Sequence, residues 1–221
     1  MSTTRLRSAC SVLLGTMLLA ACSGPSPGPT RSESRSVEPF HAIELRGNGE
    51  ARITVGKPQA VTLTAGENAL PDIITRVDKG ILIVEHMKGT WYQRPELKVQ
   101  IDVPAIDSIA ANGALIVSME GMTGPRLALT LGGAGTLRAS GQVGAMDVRL
   151  GGAGKMELAG LRADDASVSV NGTGSIEVQV TGQLEATVNG VGSITYAGNP
   201  REVVRHVNGV GTIAPSGSPS P

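Results

Sequence analysis

The phrase "LGGAGTLRAS" at Leu131 to Ser140 returns as "LGGAGKMELA" at Leu150 to Ala159, then drifts into "VNGTGSIEVQ", "VNGVGSITYA" and "VNGVGTIAPS". Glycine at this density can cradle a phosphate or line a calcium-binding repeat, so the residues that follow decide the chemistry. A phosphate loop is followed by a helix whose N-terminal amides face the anion, whereas Thr136 to Ala139 continues in the alternating pattern of a strand. A calcium nonapeptide places an aspartate after Gly-Gly-x-Gly-x to supply oxygen ligands. Leu137 and Met156 stand in its place. Neither chemistry fits, and no cofactor is expected.

Carboxylates that cleave a glycosidic bond must converge across it from two sides. Asp164-Asp165 in "LRADDASV" reads as a solvated bend before a strand, and Asp102 and Asp107 flank Pro104 in a strand-end context. His41, His86 and His206 are far apart in the chain, so a metal site or catalytic pair requires the fold to unite them. No catalytic and no metal-binding residue is expected. Trp91 and Tyr92, followed by Arg94 in "HMKGTWYQRPE", are two of the four aromatic residues in the whole chain. Rings of this kind stack on sugars or on protein side chains, which makes Trp91, Tyr92 and Arg94 the candidate partner-binding residues. Packing over an end of the fold is their structural alternative.

The elements that hold these residues follow from the repeat. Its first corner residue falls at Gly132, Gly151, Asn171, Asn189 and Asn208, in steps of 19, 20, 18 and 19 residues, the period of a solenoid. Aligned on the corner, apolar residues form columns: Leu131, Leu150, Val170, Val188 and Val207 before it, and Leu137, Met156, Ile176, Ile194 and Ile213 after it. Leu129, Val148, Val168 and Ala186 stand two residues earlier, and Leu127, Met146, Ala166 and Leu184 four earlier. Such alternation buries one face of a strand. A second turn signal, at Ser140-Gly141, Ala159-Gly160, Thr181-Gly182 and Ala197-Gly198, divides each repeat into two short strands. Stacked in parallel, each column becomes an apolar ladder worth roughly 1.5–3 kcal/mol per buried aliphatic side chain. The prediction is an all-β chain built as a parallel β-helix, right-handed by the chirality of parallel crossovers. An antiparallel sandwich of Asn-Gly hairpins is the competing arrangement.

Corners between stacked coils need positive φ and room for the coils on either side. The structural corner residues are therefore Gly133, Gly135, Gly152, Gly154, Asn171, Gly172, Gly174, Asn189, Gly190, Gly192, Asn208, Gly209 and Gly211. Gly174 and Gly192 are expected in conformations costly for branched residues, and the three asparagines in one row. Asn112 begins an earlier corner, a degenerate one, because Leu115 stands where Gly174 does. Ahead of it, "ARITVG", "AVTLTAG", "GILIVEH" and "LKVQIDVP" form a less regular β-rich half.

Residues 1–21 combine Arg5 and Arg7 with an apolar run from Ser11 to Ala20, the organisation of a signal peptide. The junction Leu19-Ala20-Ala21-Cys22 resembles a bacterial lipobox, which implies lipidation at Cys22, a membrane-anchored mature chain and, with Ser23 next, the outer membrane. Residues 22–38 read as a disordered linker and residues 215–221 as a disordered tail, both rich in Ser, Pro and Gly. Loss of Cys10 with the signal and acylation of Cys22 leave no free thiol for catalysis or disulfides. Without Arg5 and Arg7, 17 basic residues face 19 acidic ones and no basic stripe remains, so nucleic acid is not an expected partner.

The segment "FHAIELRGNGEARITVG", then "GILIVEH", "LKVQIDVPAIDSIAANGA" and the serial Gly-x-Gly corners resemble, in that order, the putative autotransporter adhesin head GIN domain family, DUF2807. The resemblance covers nearly all of residues 39–214, with the repeats at 112–214. It implies a β-helix shaped like the pectin lyases but without their catalytic residues, and a role in adhesion. The expected function is a non-enzymatic envelope lipoprotein whose rigid β-helix presents a binding or scaffolding surface to an unidentified protein or glycan. A carbohydrate-active lyase or hydrolase, a purely structural envelope protein and a homo-oligomer are the readings left open.

Overall fold

The computed structural model describes residues 26–86 and 97–217. Fourteen strands form a single sheet system that coils on itself: a parallel β-solenoid, as the alternation predicts. Its body is built from β7 (Ser108–Leu131), β8 (Ala134–Leu150), β9 (Ala153–Val170), β10 (Thr173–Val180), β11 (Gln183–Val188), β12 (Val191–Ala197), β13 (Glu202–Val207) and β14 (Val210–Pro215). Each coil pairs in parallel with the next, about 19 residues on: Leu137 with Met156, Ile176 with Met156 and Ile194, and Ile194 with Ile213.

The columns read from the sequence are the interior. Leu127, Leu129, Leu131, Leu137, Val148, Leu150, Met156, Val168, Val170, Ile176, Val188 and Ile194 are all buried, and no polar or charged residue is buried among the described residues. The two strands expected per repeat are joined in the first coils: β7, β8 and β9 run through the second bend as continuous strands. They do so by slipping register there, between Met119 and Met122 and between Arg138 and Ser140. A bulge bends a strand without ending its ladder. Only at Thr181-Gly182 and beyond does the bend break pairing.

The N-terminal half extends the same solenoid. β2 (Ala42–Val55) stacks in parallel on β7 from Ala42 to Thr54, and its "GNG" at Gly47 to Gly49 is a corner aligned with Gly113 to Leu115. On the other side of β2 lie β5 (Ile81–His86) and β6 (Lys98–Val103), also parallel to it, so β2 is sandwiched between later segments of the chain. β3 (Ala60–Gly66) and β4 (Ile73–Asp78), flanking a 3-10 turn at Leu70–Asp72, then pair antiparallel to β6 and β5 and close this end. Phe40 is buried there.

Part of the expected linker proves to be a strand. β1 (Thr30–Arg35) pairs antiparallel with β3 through six residue pairs, from Thr30 opposite Gly66 to Arg35 opposite Val61. Five of its six residues are exposed and none is buried, which explains why composition conceals it. An edge strand is held by backbone hydrogen bonds, and charged side chains on such an edge discourage further pairing.

Candidate functional site

The corner rows form one edge of the solenoid. Gly49, Leu115, Gly135, Gly154, Gly174, Gly192 and Gly211 align in a single register column. A Cβ on Gly174 would meet the Gly154 carbonyl oxygen at 1.8 Å, and one on Gly192 the Gly174 oxygen at 2.0 Å. Gly174 also has φ +148°. Gly192 is not among the positive-φ glycines, which corrects the expectation that both owe their identity to backbone conformation. Gly192 is required by the close approach of the coil beneath it.

Beside this column the three asparagines form a ladder. Asn208 donates from Nδ2 to Asn189 Oδ1 at 2.9 Å, and Asn189 donates to Asn171 Oδ1 at 2.8 Å. All three are exposed, so each rung is worth about 1 kcal/mol. Asn189→Ala removes both rungs and should lower stability by roughly 1–2 kcal/mol in denaturant melts. Asn171→Ala, which breaks one rung and a 3.4 Å contact with Ser169 Oγ, should cost less; an equal or larger loss would contradict the ladder.

Where Leu115 interrupts the glycines, the edge opens into a groove of about 600 Å³ lined by Gly49, Glu50, Leu97, Lys98, Leu115 and Ile116, with Ala114, Ala134 and Gly135 completing it. Leu115 is itself buried, and the next residue, Ile116, is 50% exposed. Ile116 thus stands half in water at the rim of an apolar hollow, the kind of concave apolar lining in which ligands are commonly bound. The sequence signal for this site was the Leu115 exception itself. Trp91, Tyr92 and Arg94 lie outside the described residues, as does Cys22. Leu97, five residues beyond Tyr92, lines the groove.

The ionisable residues are held in local partnerships. Asp165 accepts a hydrogen bond from the Gln183 amide at 2.8 Å, and Thr181 Oγ1 donates to Asp164 at 3.4 Å, so both acids order the bend at Thr181-Gly182. Lys57 lies 3.7 Å from Asp102. The fold does bring His41 and Asp107 together, Nδ1 to Oδ2 at 3.1 Å, both exposed at the N-terminal end. His86 is half-buried at the end of β5, where burial pushes its imidazole below the usual histidine range. His206 stands in the last coil, at the opposite end. The three histidines are therefore not united, and no cluster of three metal-ligating side chains occurs among the described residues.

On the sheet after the corner, Lys155 bridges Glu177 at 2.9 Å and Glu157 at 3.2 Å, and Arg138 also pairs with Glu157. The Lys155 ammonium, with help from Arg138, holds the Glu157 carboxyl below the ordinary carboxylate range. This face presents neutralised rows of charge in place of a pair of free acids.

A family model described as "Putative auto-transporter adhesin, head GIN domain" matches residues 39–200. The chain belongs to this family. The GIN-domain match stops short of β13 and β14, although the solenoid continues through them. Among solved structures, a putative adhesin from Bacteroides fragilis NCTC 9343 is similar with a TM-score of 0.71 and 23% identity, covering 87% of this chain and all of that one. A putative adhesin from Parabacteroides merdae ATCC 43184 gives a TM-score of 0.50 and 17% identity, over 86% of this chain and 97% of that one. At such identities the likeness is one of fold. No curated protein matches the chain. The family and these two neighbours carry the names of adhesins and not of enzymes.

Proposed function

We propose that this GIN-domain protein is a lipid-anchored adhesion protein of the bacterial envelope, placed at the outer membrane, and that it binds its protein or glycan partner along the corner edge. The observation that carries the reading is the apolar groove at Leu97, Leu115 and Ile116, set on a scaffold whose interior is continuously packed. A packed solenoid holds such a surface rigid, so little conformational freedom is lost on binding. Trp91, Tyr92 and Arg94, three to six residues before Leu97 in the sequence, supply residue types enriched in binding hot spots.

The anchor and the fold fit together. With β1 starting at Thr30, seven residues (23–29) separate the acylated Cys22 from the first strand, a span of at most about 25 Å at full extension. The N-terminal end is then tethered within that reach of the bilayer. Replacing Trp91 and Tyr92 together by alanine should weaken attachment of cells to their native surface more than tenfold while leaving the melting temperature and β-sheet circular dichroism nearly unchanged. A double variant that melts far lower would make the pair a structural cap. One that attaches as before would move the contact surface away from this edge.

A further inference from the structure

The two ends of the solenoid are finished differently. At the N-terminal end, antiparallel β1, β3 and β4 cover the stack, and the outermost strand carries Arg31, Glu33 and Arg35. At the other end, among the described residues, β13 pairs only with β11 and β14 only with β12, so each leaves one row of backbone groups, in β14 as far as Pro215, which has no N–H, without a strand partner. The large exposed hydrophobic residues gather here: Val204, Val207 and Val210, with Val191 next to Val210 in register, against Ile116 alone elsewhere among the described residues. A hollow of about 460 Å³ between Tyr196, Pro200, Val203 and Pro215 opens at the same end.

We propose that this open coil pairs with the open coil of a second copy about a two-fold axis, giving a tail-to-tail dimer in which both sheets continue antiparallel from one molecule into the other. The sequence of β13, "EVVRHV", is self-complementary in this register. With Val204 on the axis, Glu202 lies opposite His206 of the second copy, and Val203 opposite its Arg205. Glu202 is already steadied from below by Gln183, whose Nε2 donates to it at 2.7 Å. The same axis serves β14. Val204 and Ile213 are equally distant in sequence from the Asn208-Gly209 corner, so an axis through both sheets meets both residues.

Arg205, which replaces an apolar member of its column, is compatible with this contact. Its guanidinium lies over the Tyr196 ring of its own chain, 5.3 Å from the centroid, and bonds to the Tyr196 hydroxyl, which holds its charge back from the axis. A head-to-tail filament would instead set the apolar edge against the charged β1 edge. A two-fold contact matches like with like and closes after two molecules. The inference is independent of what the groove binds.

Cysteine crosslinking of the full chain in its own membranes, followed by sedimentation of the solubilised protein, tests it. Residues opposite one another in an antiparallel pair have Cα atoms about 4.5–5.5 Å apart, within reach of a disulfide. Val204→Cys should therefore form a disulfide dimer at least tenfold faster than Ser167→Cys, an exposed position on the same face two coils earlier. His206→Glu, which sets a carboxylate against Glu202 of the second copy, should weaken the dimer at least tenfold, and adding Glu202→His should restore it. Equal crosslinking at the two cysteine positions, or a wild-type chain that sediments as a monomer, would overturn the proposal. So would a His206→Glu loss that the second substitution does not repair in a folded protein.

Discussion

Cys22→Ala should abolish acylation of the chain and its cleavage by the lipoprotein signal peptidase, and so remove it from the outer-membrane fraction. The thiol is the acceptor of the diacylglyceryl group in the proposed lipobox, and no other side chain at the junction can form that thioether. Cys10, the only other cysteine, lies inside the expected signal peptide. The effect is all-or-none because one site carries the whole anchor, and stable attachment of such a protein depends on its acyl chains. Acyl labelling combined with membrane fractionation reads both consequences. A lipid-labelled, processed product from the Cys22→Ala chain would remove the anchor from the account and leave the solenoid unaffected.

Gly174→Val should be among the most damaging single substitutions in the domain, at roughly 3–5 kcal/mol, because two independent penalties coincide there. At φ +148° a branched side chain is strained in any surroundings, and its Cβ would lie 1.8 Å from the Gly154 carbonyl oxygen. That oxygen is backbone in the adjoining coil, so it cannot move aside as a flexible side chain would. The neighbouring Thr173→Val should be nearly neutral. Thr173 is exposed, and Val191 and Val210 already occupy its column in the following coils. Gly192→Ala separates the two penalties, since Gly192 has the close approach without the positive φ. It should still destabilise clearly in thermal melts. Equal melting temperatures for Gly174→Val and Thr173→Val would refute the stacked-corner model.

The repeats were readable because they stack in register: a residue's neighbours lie about 19 positions away, so the interior columns appear as columns in the aligned sequence. Leu131, Leu150, Val170 and Val188 could be placed with no knowledge of distant contacts. The N-terminal half defeated the same method. β2 lies between β7 and the coil made of β5 and β6, so its neighbour on one side follows about 66 residues later and on the other about 40 to 50. Its "GNG" corner was visible as letters, but without a 19-residue echo it carried no register. β1 left no apolar signature at all, because its stability comes from backbone pairing. The glycine phrases were visible as letters, but not what each position demands: conformation and crowding at Gly174, crowding alone at Gly192. The groove was signalled only by an exception, Leu115 in a glycine column, whose spatial consequence at Ile116 depends on coils before and after it.

Binding of a protein or glycan partner along the rigid corner edge, as proposed, is tested most directly by a binding isotherm. Detergent-solubilised protein titrated onto the isolated surface to which its cells attach should bind saturably. Ile116→Arg should raise the half-saturation concentration more than tenfold with little change in melting temperature, since Ile116 is half in water and contributes little to the interior. Non-saturable binding, or an isotherm that Ile116→Arg leaves unchanged, would contradict the account.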